Sequence, residues 1–501
     1  MKIYNSLTKL FLSLFVATAF FGCEDFEVEN LNAPDRERAL AETTDVISLI
    51  DGAVTDSFYA SINLWAVHID GLADQISTTN AYLDFWGFMD QPRRPINNNT
   101  TNSDMYPFEY PWDSYNSFIY NANTVLSIID DGTTLIDADG FDVTKQKEMA
   151  SYWVRGFSLG YIGMLYDKGY RVDQTTDLSA LAFEDSNNLI DYALADIDKA
   201  LQIAAENPSI GMRVHSGSTI ENAEFVGMAN SFAAKILAGK ARTASDSVDW
   251  AKVLTYANNG ITEDFDPKAL NGVIYNNYQD WSTYTLSTGA GYLPVDQKVV
   301  YLIEKDETKQ PMDYPTDSSI TLSPISNTTD ARIDDYFAYS TSFGYLRESR
   351  GRHLFTNYRH KRFYTGNNRN VTGYSLNIFP VAEVHYLKAE ANLKLGDLAA
   401  AAAALDASPH GTYVGSVAAD ATSIAKALLY EYSVEMHLNG TGGTNFFFMR
   451  RHDLLQNGSP IEYPIPASEL EITGDSFYTF GGDGANNPST ASGTGWKGLG
   501  Y

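Results

Sequence analysis

The seven residues from Asn80 to Trp86 (Asn-Ala-Tyr-Leu-Asp-Phe-Trp) set three aromatic rings beside an amide and a carboxylate. That combination suits a sugar ring. Its C–H faces stack on flat aromatic faces, and its hydroxyls need amide, carboxylate or guanidinium partners. Asn80, Tyr82, Asp84, Phe85 and Trp86 are therefore candidate ligand contacts, and Trp281, Tyr284 and Tyr292 form a second set. Trp86 and Trp281 lead the two sets because neither falls on a helical stripe. The alternative for each ring is that it anchors its loop to a scaffold. Trp153 and Trp250 do lie on helical stripes, which predicts core positions.

A second chemistry is carried by a locally basic stretch, Arg347, Arg350, Arg352, Arg359, Lys361, Arg362 and Arg369. Guanidinium forks there could hold the carboxylates or sulfates of an anionic ligand, with Arg350 and Arg352 the candidate contacts. The favoured reading is that the stretch neutralises acids of the fold. Glu431 and Glu435 stand one helical turn apart, a spacing read as a solvated or ion-paired helix face before a catalytic pair. No His-Glu-x-x-His, no P-loop and no Gly-x-Ser-x-Gly occurs. Asp137, Asp139 and Asp142 surround Gly140, but that glycine is out of place for an EF-hand. No cofactor is expected, with calcium kept as a weak alternative.

The elements that must position these groups read mainly as helices. Asp45 is placed to cap a first helix running to about Leu72, followed by a surface loop over 73–112, rich in Pro and Asn. Helical rhythm returns over 113–260. Within it Met149, Trp153, Gly156, Gly160 and Met164 set small residues at four-residue spacing, which lets another helix approach closely. Residues 261–377 read as loops with a few short strands. Helices resume over 378–440, where Gly396 suits a left-handed stop and Asp397 the next start. A Gly-, Asn- and Ser-rich tail covers 441–501, with Trp496 and Tyr501 suggesting that its end is tied down. Recurring helix pairs with no clean period suggest tetratricopeptide-like stacking, against the alternative of an irregular helical domain. The expected organisation is a signal over 1–22, a tether over 23–44 and one domain over 45–501.

Lys2 and Lys9 precede an apolar run from Leu10 to Phe21, too short to span a bilayer, which needs roughly 20 apolar residues. It reads as a secretion signal. Cys23, the sole cysteine, directly follows and can form no internal disulfide. Its position resembles a bacterial lipobox, with Phe20 where Leu is usual; this implies cleavage before Cys23 and its acylation, palmitate included. The alternative is ordinary cleavage near Ala19. Two fewer lysines would take the formal charge from −28 to −30. Such a surface repels phosphate backbones and argues against nucleic acid. The run Glu24, Asp25, Glu27, Glu29 reads as a solvated tether. Hydrophobic residues, at 44%, suffice for a large core, and 32 tyrosines suit recognition of polar rings.

Several segments, taken in order, resemble the RagB/SusD family of outer-membrane lipoproteins. They are Asn30–Asp35; Gly156–Tyr161 with Leu165-Tyr166 and Gly169; Phe379–Ala391; Glu431 and Glu435 with Asn445–Arg451; Pro464-Ile-Pro466; and Gly500-Tyr501. The usual Leu-Arg-Ala before Gly156 is absent, and Tyr432 replaces an Arg. The resemblance implies a fold of four tetratricopeptide-like helix pairs with a variable, loop-rich part at 73–112 and 261–377 presenting the ligand. It implies a non-catalytic glycan-binding protein, lipid-anchored on the outer face of the outer membrane, that serves a SusC-like TonB-dependent transporter. Some members handle peptides. The rival classes are a secreted glycoside hydrolase and a helical scaffold that binds protein. The ligand class stays open; the net charge favours a neutral glycan, and the basic stretch an anionic one.

Overall fold

A computed structural model describes residues 42–214, 217–267, 292–304, 328–341, 346–350, 356–363, 377–482, 488–493 and 495–499. Cys23, Trp281, Tyr284, Arg352, Arg369 and Tyr501 lie outside the described residues.

The first half is a stack of helices: α1 (Thr43–Ser61), α2 (Trp65–Leu72), α3 (Phe85–Met89), α4 (Tyr106–Asp130), α5 (Thr144–Leu165), α6 (Ser186–Glu206), α7 (Asn222–Gly239) and α8 (Trp250–Asn258). Helix α5 is the hub, packing on α4, α6, α1 and α7. Its glycines make the contacts close. A Cβ on Gly156 would stand 2.9 Å from the Ala193 carbonyl oxygen of α6, and one on Gly160 3.1 Å from Ile236 of α7. The small-residue spacing thus has the consequence read from it, with α6 and α7 on different glycines. Trp153 beside them is fully buried among Phe58, Phe157, Phe225 and Phe232.

The second half adds α9 (Gln297–Glu304), α10 (Arg332–Tyr336), α11 (Val381–Leu395), α12 (Leu398–Asp406), α13 (Pro409–Tyr413), α14 (Ala421–Val434), α15 (Thr444–Arg451) and α16 (Ala467–Thr473). Helix α11 packs on α8, α12 and α14. Gly396 ends α11 at φ 84°, and the Asp397 carboxylate accepts from the Ala400 N–H to start α12, as the sequence indicates. Three short antiparallel strand pairs complete the architecture: β1 (Lys168–Tyr170) with β2 (Phe183–Asp185), β3 (Met212–Arg213) with β4 (Thr219–Ile220), and β5 (Phe337–Tyr339) with β6 (Tyr358–His360). The fold is mainly α with a few short strands. No described helix is long and apolar enough to cross a membrane.

Charged residues tie the layers together. Arg450 donates to the Met164 and Gly239 carbonyls, at the last turns of α5 and α7, and Arg242 donates to Gly163, Tyr166 and Gly239. Two cations thus satisfy carbonyls that a helix end leaves orphaned, where the helix dipole favours positive charge. Glu383 pairs with the buried Lys235 of α7, and Glu390 takes both forks of Arg451 at 2.6 and 2.7 Å. Arg451 and His452 hold the Glu390 carboxyl far below the usual carboxylate range despite its burial.

The structure corrects several expectations. Residues 73–112 are not a surface loop. Asp74 to Thr79 are buried, α3 lies inside the span and α4 begins at Tyr106, with Pro107 in its first turn and Pro111 inside it. The Pro and Asn clusters ahead of it hid this helix start; Pro107 stands where the missing N–H costs nothing, whereas Pro111 gives up one ladder bond. Asp45 sits in the first turn of α1 rather than at its cap, which is Glu42. Trp250 is half-buried against Lys394 rather than in the core. The tail holds α15 and α16, while the expected tie at Trp496 is present, its ring buried against Tyr301.

Candidate functional site

The segment Asn80–Trp86 turns sharply. The Asn80 carboxamide oxygen accepts from the Tyr82 N–H, and the Trp86 N–H donates to the Asn80 carbonyl. Leu83 and Asp84 both adopt left-handed backbone, at φ 49° and 55°. Two consecutive non-glycine residues there store strain that the surroundings must hold. His68 of α2 supplies part of that hold: its Nε2–H donates to the Leu83 carbonyl at 2.7 Å, and its ring stacks on Phe85 at 4.7 Å. Burial pushes the His68 pKa down to about 4, so the ring is neutral.

This packing sorts the sequence candidates. Phe85 is fully buried and is a loop anchor, not a ligand contact. Tyr82 is 50% exposed. Asn80, Asp84 and Trp86 are half-buried, and burial followed by the Asp104 charge pushes the Asp84 pKa up. Trp86 has the Arg94 guanidinium 4.5 Å and the Arg350 guanidinium 4.7 Å from its ring centre. Its indole N–H is buried without an acceptor among the described residues.

The two irregular blocks meet at this place. Ile76 bridges to Val295, the Ser77 N–H donates to the Pro294 carbonyl, and the Thr78 hydroxyl donates to the Tyr292 carbonyl. The Arg347 N–H donates to the Thr79 hydroxyl, and Arg350 Nη1 to the Thr79 carbonyl at 3.1 Å. Tyr292 and Arg350 are thereby brought beside the Asn80–Trp86 segment.

Three tyrosines that the sequence reading passed over enlarge the surface. Tyr106 and Tyr110 stack with ring centres 5.1 Å apart. Tyr106 OH donates to Asn63 Oδ1 at 2.7 Å, and Asn63 Nδ2 donates to Tyr110 OH at 2.8 Å. Burial raises the Tyr106 pKa first; the nearby Tyr110, Tyr59 and Tyr82 raise it further. Tyr59, Tyr106 and Tyr110 are each half-buried. The i, i+4 pair was readable as one helix face, had the Pro and Asn clusters earlier in 73–112 not suggested a loop.

The remaining motifs have structural work. Glu431 and Glu435 are buried rather than solvated. Arg332 donates to Glu431 at 2.8 and 2.9 Å, to Glu435 at 3.2 Å and to Asp330 at 2.8 Å. His410, Tyr386, Tyr336 and Arg362 complete the cluster. The Arg332 and His410 partners hold the Glu431 pKa at about 2, against the burial that opposes ionisation. From the basic stretch, Arg359 is buried and Arg362 pairs with Glu435, the neutralising role. Asp137 accepts from the Asp139 and Phe141 N–H groups, and Asp142 from that of Thr144. No cluster of three or more potential metal ligands of the His, Cys, Asp or Glu type occurs among the described residues.

A cavity of about 520 Å³ lies elsewhere, lined by Glu224, Gly227, Asn259, Thr262 and Asp264. Its one aromatic, Phe265, is buried and bonded to Phe379, so it offers no stacking face.

No family model and no curated protein matches the sequence. Solved structures do match. A SusD superfamily protein from Bacteroides thetaiotaomicron aligns with TM-score 0.56 at 13% identity, over 82% of this chain and 89% of that one. A SusD-like carbohydrate binding protein from Bacteroides vulgatus aligns with TM-score 0.54 at 14% identity, over 82% and 83%. A surface glycan-binding protein A from Bacteroides uniformis aligns with TM-score 0.50 at 13% identity, over 83% and 91%. At such identities the likeness is one of architecture, and it spans most of every chain compared: this protein has the SusD-like fold.

Proposed function

We propose that the chain is a non-catalytic, cell-surface glycan-binding lipoprotein that captures an oligosaccharide and passes it to a SusC-like TonB-dependent transporter. The observation that carries this reading is the stacked pair Tyr106 and Tyr110, joined through Asn63, with Tyr59 and Tyr82 near Tyr106 and Tyr82 in the turn that ends at Trp86. Partly exposed rings next to amide and hydroxyl groups are what a pyranose needs. Neighbours of the same fold that are described as carbohydrate-binding support it. Glu431 and Glu435, locked in a buried ion network, are not free to act as acid and base on a glycosidic bond. The lipid anchor on Cys23 and the outer-membrane location rest on the N-terminal residues.

Affinity gels loaded with a panel of neutral and charged polysaccharides test the reading. Retardation of the wild type, lost in Tyr82→Ala and in Tyr106→Ala with Tyr110→Ala, is the expected result. Release of reducing sugar over time, or no retardation by any polysaccharide, overturns it.

A further inference from the structure

Arg347 and Arg350 are exposed, and neither has a carboxylate partner among the described residues. In a chain carrying 63 acids against 35 bases, two arginines three residues apart with no carboxylate partner among the described residues stand out. Arg350 is also held in place. One N–H is spent on the Thr79 carbonyl, and its plane lies near the Trp86 ring. The rest of its fork has no partner among the described residues. Arg94, on the same ring, pairs with Asp90 and so is largely neutralised. Among the described side chains the other acids near Trp86 are Asp84, half-buried with its pKa pushed up, and Asp104, whose charge helps push it.

We infer that this surface recognises an anionic glycan, one bearing a carboxylate or a sulfate ester, by stacking the sugar beside Trp86 and Tyr82 while Arg347 and Arg350 take the anion. This rests on the glycan-binding reading and narrows its ligand class. A guanidinium fork matches the two oxygens of a carboxylate or sulfate, and such charge-assisted bonds are about twice as strong as neutral ones. The overall charge of −28 does not forbid it, because screening confines that field to ~8 Å at physiological salt, leaving local groups to decide.

The test varies charge on a fixed backbone. Polygalacturonate is compared with its full methyl ester, and dextran sulfate with dextran, by calorimetry on the mature chain, in wild type, Arg347→Gln, Arg350→Gln and the double variant. The expected result is binding to a charged member at least tenfold tighter than to its neutral counterpart, weakened by rising salt. Each single variant should reduce it by about tenfold, the scale of one charge-assisted contact. Circular dichroism confirms folding, which surface glutamines leave intact. A response to the carboxylate alone or the sulfate alone supports the inference and assigns the anion. Equal binding of charged and neutral partners, or variants that bind as wild type, overturns the inference and leaves the glycan reading standing. No binding to any of the four, nor to a wider neutral panel, overturns both.

Discussion

At the scale of single residues, two kinds of aromatic side chain carry different work. Trp153 has no exposed surface and touches a cage of phenylalanines. Trp153→Ala should therefore cost ~3–5 kcal/mol through a cavity, read in urea or thermal melts, with ligand affinity of the folded fraction unchanged. Tyr82→Ala should do the reverse, because half its surface already faces water. Trp86 falls between them, and its alanine variant should weaken both. Acid behaviour follows from His68, whose pKa is pushed down by burial to about 4 in the fold, against about 6.5 for a free histidine. The folded state refuses a proton that the unfolded state accepts. Stability is thus fully present above pH ~6.5 and falls as pH drops toward 4, by on the order of 3 kcal/mol from this one group. A His68→Gln variant should show a flatter loss of unfolding free energy over that window; an unchanged slope removes His68 as the cause.

At the scale of elements, the crossings of α5 set the sharpest expectation. In Gly156→Ala the new methyl meets a backbone carbonyl oxygen at 2.9 Å, which cannot rotate away. Gly160→Ala meets only side-chain atoms at 3.1 Å and beyond. Alanine gains up to ~1 kcal/mol in helix propensity, and overpacking costs ~1–3 kcal/mol. Gly156→Ala should therefore be destabilising and Gly160→Ala near neutral, by chemical denaturation of the two variants. The sequence disclosed these crossings, and the α11 stop at Gly396, because both are local: a period of four, or one glycine with an Asp after it. It also disclosed the second-half helix run. What it concealed was long-range. Residues 73–79 are buried, and Ile76, Ser77 and Thr78 bond to 292–295, far away in sequence. Tyr106 and Tyr110 were masked because 73–112 reads as a Pro- and Asn-rich loop, although α4 begins within it. The candidate surface was half legible: Tyr82, Trp86, Tyr292 and Arg350 were named, Phe85 was misplaced, and Tyr59, Asn63, Tyr106, Tyr110 and Arg94 emerge only once α1, α2 and α4 are assembled.

At the scale of the whole molecule, the scaffold and the irregular parts are held together by a buried charge cluster. Every guanidinium N–H position of Arg332 has a carboxylate partner, and Glu431 and Glu435 belong to the far end of the chain. Removing a partner from such a cluster leaves uncompensated charge. Arg332→Met should cost ~3–5 kcal/mol in global unfolding. Loss confined to hydrogen-exchange protection near residues 328–341, with the global value intact, would show that the cluster tethers only locally. A separate prediction concerns anchoring: Cys23→Ala should move the protein from the membrane fraction to the soluble fraction. Retention of that variant in cells lacking the transporter would remove lipid on Cys23 as the anchor.

The placement of Arg332 has an engineering consequence. Glu304 closes α9 and Asp330 precedes α10; both are buried, and both helices are fastened to the same region, α9 packing on α14 and Arg332 bonding to Glu431 of α14. Helix α14 is therefore a common post for both. A redesign that keeps Arg332, Glu431 and the α9 contact should carry α9 and α10 together, which makes α14 the fixed frame on which the irregular part can be rebuilt.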